Sequence, residues 1–283
     1  MNQKEGRINM RNKKRYYRKF NLDVPRETVE KIVAEYAGDP EKYSRSPLAG
    51  PYTPPDTDEL VGKTLAFRGE EKNYDFRFTA LNEVWFQEEG EEEKRCFCNV
   101  KTLDHEVYFV NFLVPGYATS RQITLIPDMK SGCATVVDAK VGTEYSNIDV
   151  DRDFYFGRLE GDFAGGELHG FTTELLGKSI IWEYSPNIIK IKHIYNCDIY
   201  YTYQNLTALG TWMATNPADY VKIRDGLYLF SFVEERQVGI QAIFLIDLAR
   251  MHDIGCFYGC SGDHLTSACL GAIGEFADPN TIA

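Results

Sequence analysis

Between Trp182 and Glu235 the chain concentrates side chains that hold and move protons. Trp182, Tyr184, His193, Tyr195, Tyr200, Tyr201, Tyr203, Trp212 and Tyr228 fall in this stretch, with the acids Glu183, Asp225, Glu234 and Glu235. Residues two apart on a strand share a face. That rule pairs Trp182 with Tyr184, His193 with Tyr195 and Tyr201 with Tyr203, and turns Tyr200 and Thr202 the other way. Phenols donate hydrogen bonds to a developing oxyanion. An imidazole with an ordinary pKa of about 6.5 exchanges protons at neutral pH. A carboxyl group walled by aromatic rings is pushed toward its neutral form and becomes a usable acid or base. Tyr184, Tyr201 and Tyr203 are therefore the expected polarising groups, and His193 and Asp225 the expected proton carriers. Trp182, Tyr195, Tyr200, Thr202, Trp212, Tyr228 and Glu234 are the expected ligand wall. The competing reading is a packed core, because strands favour aromatic residues whatever their task.

These residues need a frame that turns one face of several strands toward a common centre. Five blocks of sequence recur in one order: DELVGKTLAF (Asp58 to Phe67) with TELLGKSIIW (Thr173 to Trp182), VKTLD (Val100 to Asp104) with VKIRD (Val221 to Asp225), VYFVNFLV (Val107 to Val114) with LYLFSFVE (Leu227 to Glu234), ITLI (Ile123 to Ile126) with IFLI (Ile243 to Ile246), and Gly132-Cys133 with Gly255-Cys256. Collinear matches of this kind indicate a duplicated unit. Each unit is a run of short strands without a long helix, and closing into a small antiparallel barrel hides the sheet edges. The expected class is mainly β: two tandem calycin- or lipocalin-like antiparallel β-barrels from an internal duplication, with a short N-terminal helix. The expected divisions are 1–57 for a basic arm, a helix over 24–37 and a Pro-rich connector, 58–142 and 173–262 for the barrels, 143–172 for a linker and 263–283 for a tail. The first repeat offers Arg68, Tyr74, Arg77, Trp85 and the Asp104-His105 pair, with fewer phenols, so the second repeat is the expected site.

The first twenty residues hold eight Lys and Arg against one acid, whereas the rest of the 283-residue chain holds 23 bases and 41 acids. An acidic body repels phosphate backbones, so no nucleic-acid partner is expected. The basic arm reads as a solvated tail or a strap onto a neighbouring subunit, which leaves a homo-oligomer open. No apolar run approaches the roughly 18 residues of a membrane helix, and the start lacks a signal-peptide core, so no membrane association and a cytoplasmic location are expected. The seven cysteines are expected to be reduced thiols. His252, Cys256, Cys260 and His264 stand four apart, but the Gly-rich GCFYGCSG places them along a strand, where they spread too far to share an ion. No metal is expected. No phosphate loop, dinucleotide fingerprint or nucleophile elbow is present, so no cofactor is expected.

GKSIIWEYSP, KHIYNCDIYYTYQ, YVKIRDGLYLFSFVEE and IFLIDLARMHDIGCFYG resemble the carboxy-terminal domain of MoaF-like proteins, a family named for molybdenum cofactor biosynthesis protein F. DELVGKTLAF and the strands after it resemble that family's amino-terminal domain. The resemblance implies the fold over roughly 58–260 and no mechanism. A more distant similarity is to phenolic acid decarboxylases, which are small lipocalin-like barrels: Gly177-Lys178, then Trp182 with Tyr184, then Asp225 before Gly-Leu-Tyr. That family holds its substrate carboxylate with a barrel arginine, and the matching position near Thr202 has none. The resemblance therefore implies an aromatic, acid-bearing interior rather than decarboxylation of a cinnamate-like acid. The functional expectation is a small-molecule-binding protein acting as a cofactor-free acid–base isomerase, cyclase or lyase on a small aromatic or carbonyl compound. The alternatives are a non-catalytic binder or carrier, and a structural protein with filled barrels.

Overall fold

The computed structural model describes residues 24–36, 41, 50–186, 189–207, 212–234, 239–261 and 264–278. The basic arm and the start of the Pro-rich connector lie outside them. A helix, α1 (Arg26–Tyr36), is followed by β1 (Thr64–Gly69), β2 (Asn73–Ala80), β3 (Glu83–Glu88), β4 (Lys94–Thr102), β5 (Tyr108–Leu113), β6 (Arg121–Pro127), β7 (Cys133–Val141) and β8 (Val150–Leu159). Then come β9 (Gly170–Phe171), β10 (Ser179–Ser185), β11 (Ile189–Ile194), β12 (Tyr200–Asn205), β13 (Trp212–Arg224), β14 (Leu227–Val233), β15 (Ile240–Asp247), β16 (His252–Ser261) and β17 (His264–Phe276). Strands β1 to β8 form a closed antiparallel meander. Strands β10 to β17 form a second, closed by β10 against β17 and by β12 against β13, with β9 added outside on β13.

Alternation fills each barrel from one face of its strands. Phe67, Phe76, Phe78, Phe86, Phe112 and Leu125 meet in the first, and Trp182, Tyr184, Tyr201, Phe230 and Phe244 in the second. A third apolar cluster joins the outer faces of the two: Phe109, Ile126 and Val137 pack on Val221, Leu229, Leu245 and Ile254. This explains why VYFVNFLV and IFLI read as continuous apolar runs, since their strands are buried on both sides. Helix α1 covers one end of the seam, where Val29, Ile32 and Val33 meet Val141, Ile148, Tyr258 and Leu265.

Two boundaries differ from the sequence reading. Residues 143–172 are not only a linker: β8 lies within them and closes the first barrel. Residues 263–283 are not only a tail: β17 closes the second. The reasons are local. β8 carries charges of both signs and is only partly buried along VDRDFYFGRL. β17 carries small residues because bulky rings face it: a Cβ on Gly274 would stand 2.6 Å from the Trp182 ring.

The repeated Gly-Lys block closes one end of each barrel. Gly62 and Gly177 take φ of 83° and 82°, a left-handed conformation that suits glycine. Lys63 Nζ donates to Glu59 O at 2.7 Å, and Lys178 Nζ to Glu174 O at 2.6 Å. Leu60 and Leu175 are buried as plugs. Tyr108 donates to Glu59 Oε2 and Tyr228 to Glu174 Oε2, each at 2.7 Å. This block and the VYFVNFLV block therefore coincide in register as well as in order. The other three do not. Val100 points inward and Val221 outward, Ile123 inward and Ile243 outward, and Gly132 precedes its strand while Gly255 lies inside one. The first two slip by one residue, which exchanges the faces of a strand, and the Gly-Cys match slips by four, so those matches mark the right strands in the wrong register.

Candidate functional site

Counting along the ladders from the Gly-Lys turns gives each inward position of one barrel its counterpart in the other. Leu65 pairs with Phe76, and Ile180 with His193. Phe76 pairs with Phe86, and His193 with Tyr203. Val84 pairs with Cys96, and Tyr201 with Asn216. By the same count Tyr184 stands where the first barrel has Gly69, Tyr195 where it has Phe78, and Asp253 where it has Ala134. Glu234 follows β14 at the position of Val114 after β5. The second barrel thus carries polar groups at positions that are apolar or empty in the first.

Those groups form a connected interior. Asp253 accepts the Ala272 N–H at 2.8 Å on Oδ1 and the Tyr184 hydroxyl at 3.3 Å on Oδ2. Burial drives the Asp253 carboxyl well above the usual carboxylate range, which favours its neutral form. Burial likewise raises the Tyr184 and Tyr201 phenols. His193 lies among aromatic rings, 5.1 Å from Tyr201 and 5.6 Å from Phe230 between centroids. Burial lowers its pKa to about 3, and its Nδ1 meets no hydrogen-bond partner among the described residues. Trp182 Nε1 donates to Tyr195 Oη at 3.3 Å. Toward the end opposite the plug, Glu234 receives Tyr203 Oη and Asn216 Nδ2, each at 3.4 Å, and Trp212 Nε1 donates to Tyr203 Oη at 3.2 Å.

Trp182, Tyr184, His193, Tyr195, Tyr201 and Tyr203 are therefore together inside the barrel, with Trp212 and Glu234 beside them. Tyr228 faces the same interior from its plug end, and three expected residues lie outside. Asp225 lies in the β13–β14 turn, its side chain 98% exposed and paired with Lys222 at 2.7 Å. A turn glycine follows it, which puts it beyond the barrel end. Thr202 faces outward and meets Thr215 Oγ1 at 2.9 Å. Tyr200 has the same outward parity, and its carbonyl receives the Tyr220 hydroxyl. Tyr228 is committed to Glu174 in the plug. Asp253 was missed, as were Asn216 and Tyr220, which is buried against Tyr195. The signal for Asp253 was present: in HDIGCFY the acid is two residues from Gly255 and four from Phe257, on the inward face of an apolar strand.

The first barrel puts its polar groups elsewhere. Arg121, 3% exposed, donates to Asp138 through Nε at 2.9 Å and Nη2 at 2.7 Å, to Glu88 at 2.8 Å and to Tyr117 at 2.5 Å. Lys72 also pairs with Glu88. This network sits at the end opposite the plug. Of the residues weighed as metal ligands, His252 Nε2 meets Tyr52 O at 2.7 Å and Cys256 packs in the seam between the barrels. Cys260 packs under α1, and the His264 side chain lies outside the described residues. No group of three or more His, Cys, Asp or Glu among the described residues is placed to hold a metal ion. No helix among them is long and apolar enough to cross a membrane.

No curated protein sequence matches the chain. A solved structure, described as a putative beta-lactamase from Burkholderia vietnamiensis, aligns with 38% of this chain and all of its own at 12% identity and a TM-score of 0.32. Residues 50–143 match the model of the MoaF N-terminal domain. Residues 169–278 match that of the MoaF C-terminal domain. The two matches fall one on each barrel, in family order, and the chain belongs to the MoaF family.

Proposed function

We infer that the second barrel binds a small aromatic or carbonyl compound and moves a proton on it, as an isomerase, cyclase or lyase without a cofactor, while the first barrel is scaffold. One observation carries this reading. At matched positions of one architecture, the second barrel has His193, Asp253, Tyr184 and Tyr201 where the first has Phe76, Ala134, Gly69 and Val84. A barrel of this register folds with apolar residues there, and burying polar groups costs stability unless they are satisfied. In the proposed chemistry the Asp253 carboxyl, in the neutral form that burial favours, and Tyr184 polarise a substrate oxygen. His193 takes the proton. It is a weak base at rest, and the enolate forming beside it supplies the opposite charge that strengthens it.

The rival reading is a carrier, which needs shape and a few hydrogen bonds but no proton transfer. Binding and turnover are to be screened together over phenolic and enone compounds, then repeated with His193→Gln, Asp253→Asn and Tyr184→Phe. The enzyme reading expects at least one variant to lose about 10²–10⁴ in turnover while affinity changes less than about tenfold. Tight binding by wild type without turnover establishes the carrier. Full activity in all three variants removes these residues from the chemistry.

A further inference from the structure

The interior of the second barrel has more hydrogen-bond donors than its own acceptors take up. Asp253 and Tyr184 share one hydrogen bond, and Asp253 Oδ1 is already an acceptor for the Ala272 N–H; in the neutral form that burial favours, the carboxyl and the phenol carry two O–H protons between them. One proton of the pair is left over. Tyr195 accepts from Trp182, and its own proton has no acceptor among the described residues. Tyr201 accepts from Asn216 at 3.5 Å and stands in the same position. Three hydroxyl protons thus face one interior, beside an imidazole whose Nδ1 is unpartnered. A buried donor without an acceptor is costly, and an arriving acceptor removes that cost.

The charges facing this interior sharpen the class of acceptor. Among the described residues, Lys222 is the one Lys or Arg at an inward position of β10 to β17; it lies at the plug end, opposite Tyr228, and its ammonium is taken up by Glu174 and Asp225. Lys190 and Lys192 point outward, to Glu183 and to the Asp278 carbonyl. Arg224, past the bulge, points outward and pairs with Asp104 and Glu106 of the first barrel. The one inward carboxyl near the end opposite the plug, Glu234, is held by Asn216 and Tyr203. A carboxylate entering such a site leaves water without meeting a cation, which is unfavourable in a low-dielectric interior. The walls are flat rings: Phe230, Phe232 and Phe244 stack or tilt on one another and on Tyr201 and Tyr220.

We propose that the second barrel takes an uncharged, flat molecule bearing a carbonyl-type acceptor oxygen, which receives hydroxyl protons from the Asp253–Tyr184 pair, Tyr195 and Tyr201, and that it rejects the corresponding carboxylate. The proposal rests on the reading of the second barrel as a ligand site and narrows the ligand class. Three probes of one skeleton separate the two: acetylnaphthalene (neutral, acceptor), naphthoate (anionic, acceptor) and ethylnaphthalene (neutral, no acceptor). Binding to the full chain is measured at pH 7 by saturation-transfer NMR and by quenching of tryptophan emission. Acetylnaphthalene is expected to bind at least about tenfold more tightly than either of the others. Its advantage over ethylnaphthalene is expected to shrink several-fold in Tyr195→Phe and in Asp253→Asn, with thermal melts confirming that both variants fold. Naphthoate binding as tightly as acetylnaphthalene overturns the proposal and leaves the site reading standing. Equal binding of acetylnaphthalene and ethylnaphthalene overturns it too, since donors then contribute nothing. Failure of all three to bind wild type removes the site reading along with the proposal.

Discussion

The two barrels share strand order, plug and ladder register, and they differ in where they place polarity. The first is lined with Phe67, Phe76, Phe78, Phe86 and Phe112 along its length and gathers its charges at one end, around Arg121. The second spreads phenols, an imidazole and a carboxyl group through its middle. One sheet register therefore supports both interiors, which separates what the fold needs from what it carries. The Gly-Lys turn with its leucine plug and its Tyr–Glu hydrogen bond is common to both and belongs to the fold. His193 and Asp253 are peculiar to one, and the proposed function assigns them to its task.

The largest effect tests the charged end of the first barrel. Arg121→Met leaves Asp138, 2% exposed at its side chain, as a buried carboxylate without its principal partner. Breaking such a pair from one side costs about 3–5 kcal/mol. Denaturant unfolding is expected to show that loss while second-barrel binding, once a ligand is in hand, is unchanged. Altered affinity in a folded Arg121→Met protein would assign the ligand to the wrong barrel.

Next in size is a steric exchange between the two interiors. Gly274 makes room for Trp182, whereas the first barrel pairs Phe67 with Leu159 at the corresponding place. Gly274→Leu is expected to cost about 1–3 kcal/mol or more by overpacking. Adding Trp182→Phe, which rebuilds the pair of the first barrel, is expected to recover at least about 1 kcal/mol, the coupling of residues in contact. Strict additivity would mean that the matched register is wrong there.

Part of this comparison was legible in the sequence and part was not, for physical reasons. Gly62-Lys63 and Gly177-Lys178 stood out because a left-handed turn, a buried leucine and a carbonyl bound by lysine leave little choice of residue. The plug role of Tyr108 and Tyr228 was not legible, because the glutamates they meet, Glu59 and Glu174, are distant in sequence. β8 and β17 were hidden because one is charged with both signs and half-buried and the other is small to suit Trp182, and neither has the bulky alternation that announces a strand. Asp225 was mistaken for an interior acid because an acid before Gly-Leu-Tyr resembles a motif of another barrel family, whereas here it falls in the β13–β14 turn, beyond the barrel end. Asp253 escaped because its counterpart is Ala134, so comparing the repeats gave it no echo.

A smaller effect is read from pH. The folded-state pKa of His193 is lowered from its ordinary value to about 3. Between about 6.5 and about 3 the unfolded chain binds a proton that the folded chain does not. Stability from this group is therefore complete above about 6.5 and falls as pH drops, by at most about 1.4 kcal/mol per pH unit. Asp253, raised by burial, contributes with the opposite sign above about pH 4, so the wild-type profile alone mixes the two. The difference between wild type and His193→Gln isolates the histidine and is expected to show that slope. The counterpart substitution Phe76→Leu in the first barrel removes no titrating group, so its difference from wild type is expected to be flat with pH. A flat difference for His193→Gln would mean that the imidazole titrates normally and is not sealed in the barrel.

The central claim is that the second interior is polar for its ligand and not for its fold. His193→Phe tests it most directly, because phenylalanine is what the first barrel has at that position. Unfolding free energy and probe binding are measured on the same preparation. The expected result is unchanged or higher stability, by up to about 1–3 kcal/mol as the unpartnered Nδ1 is removed, together with loss of binding or turnover by at least about tenfold. A protein that loses stability and keeps its ligand would make His193 a structural residue and contradict the account.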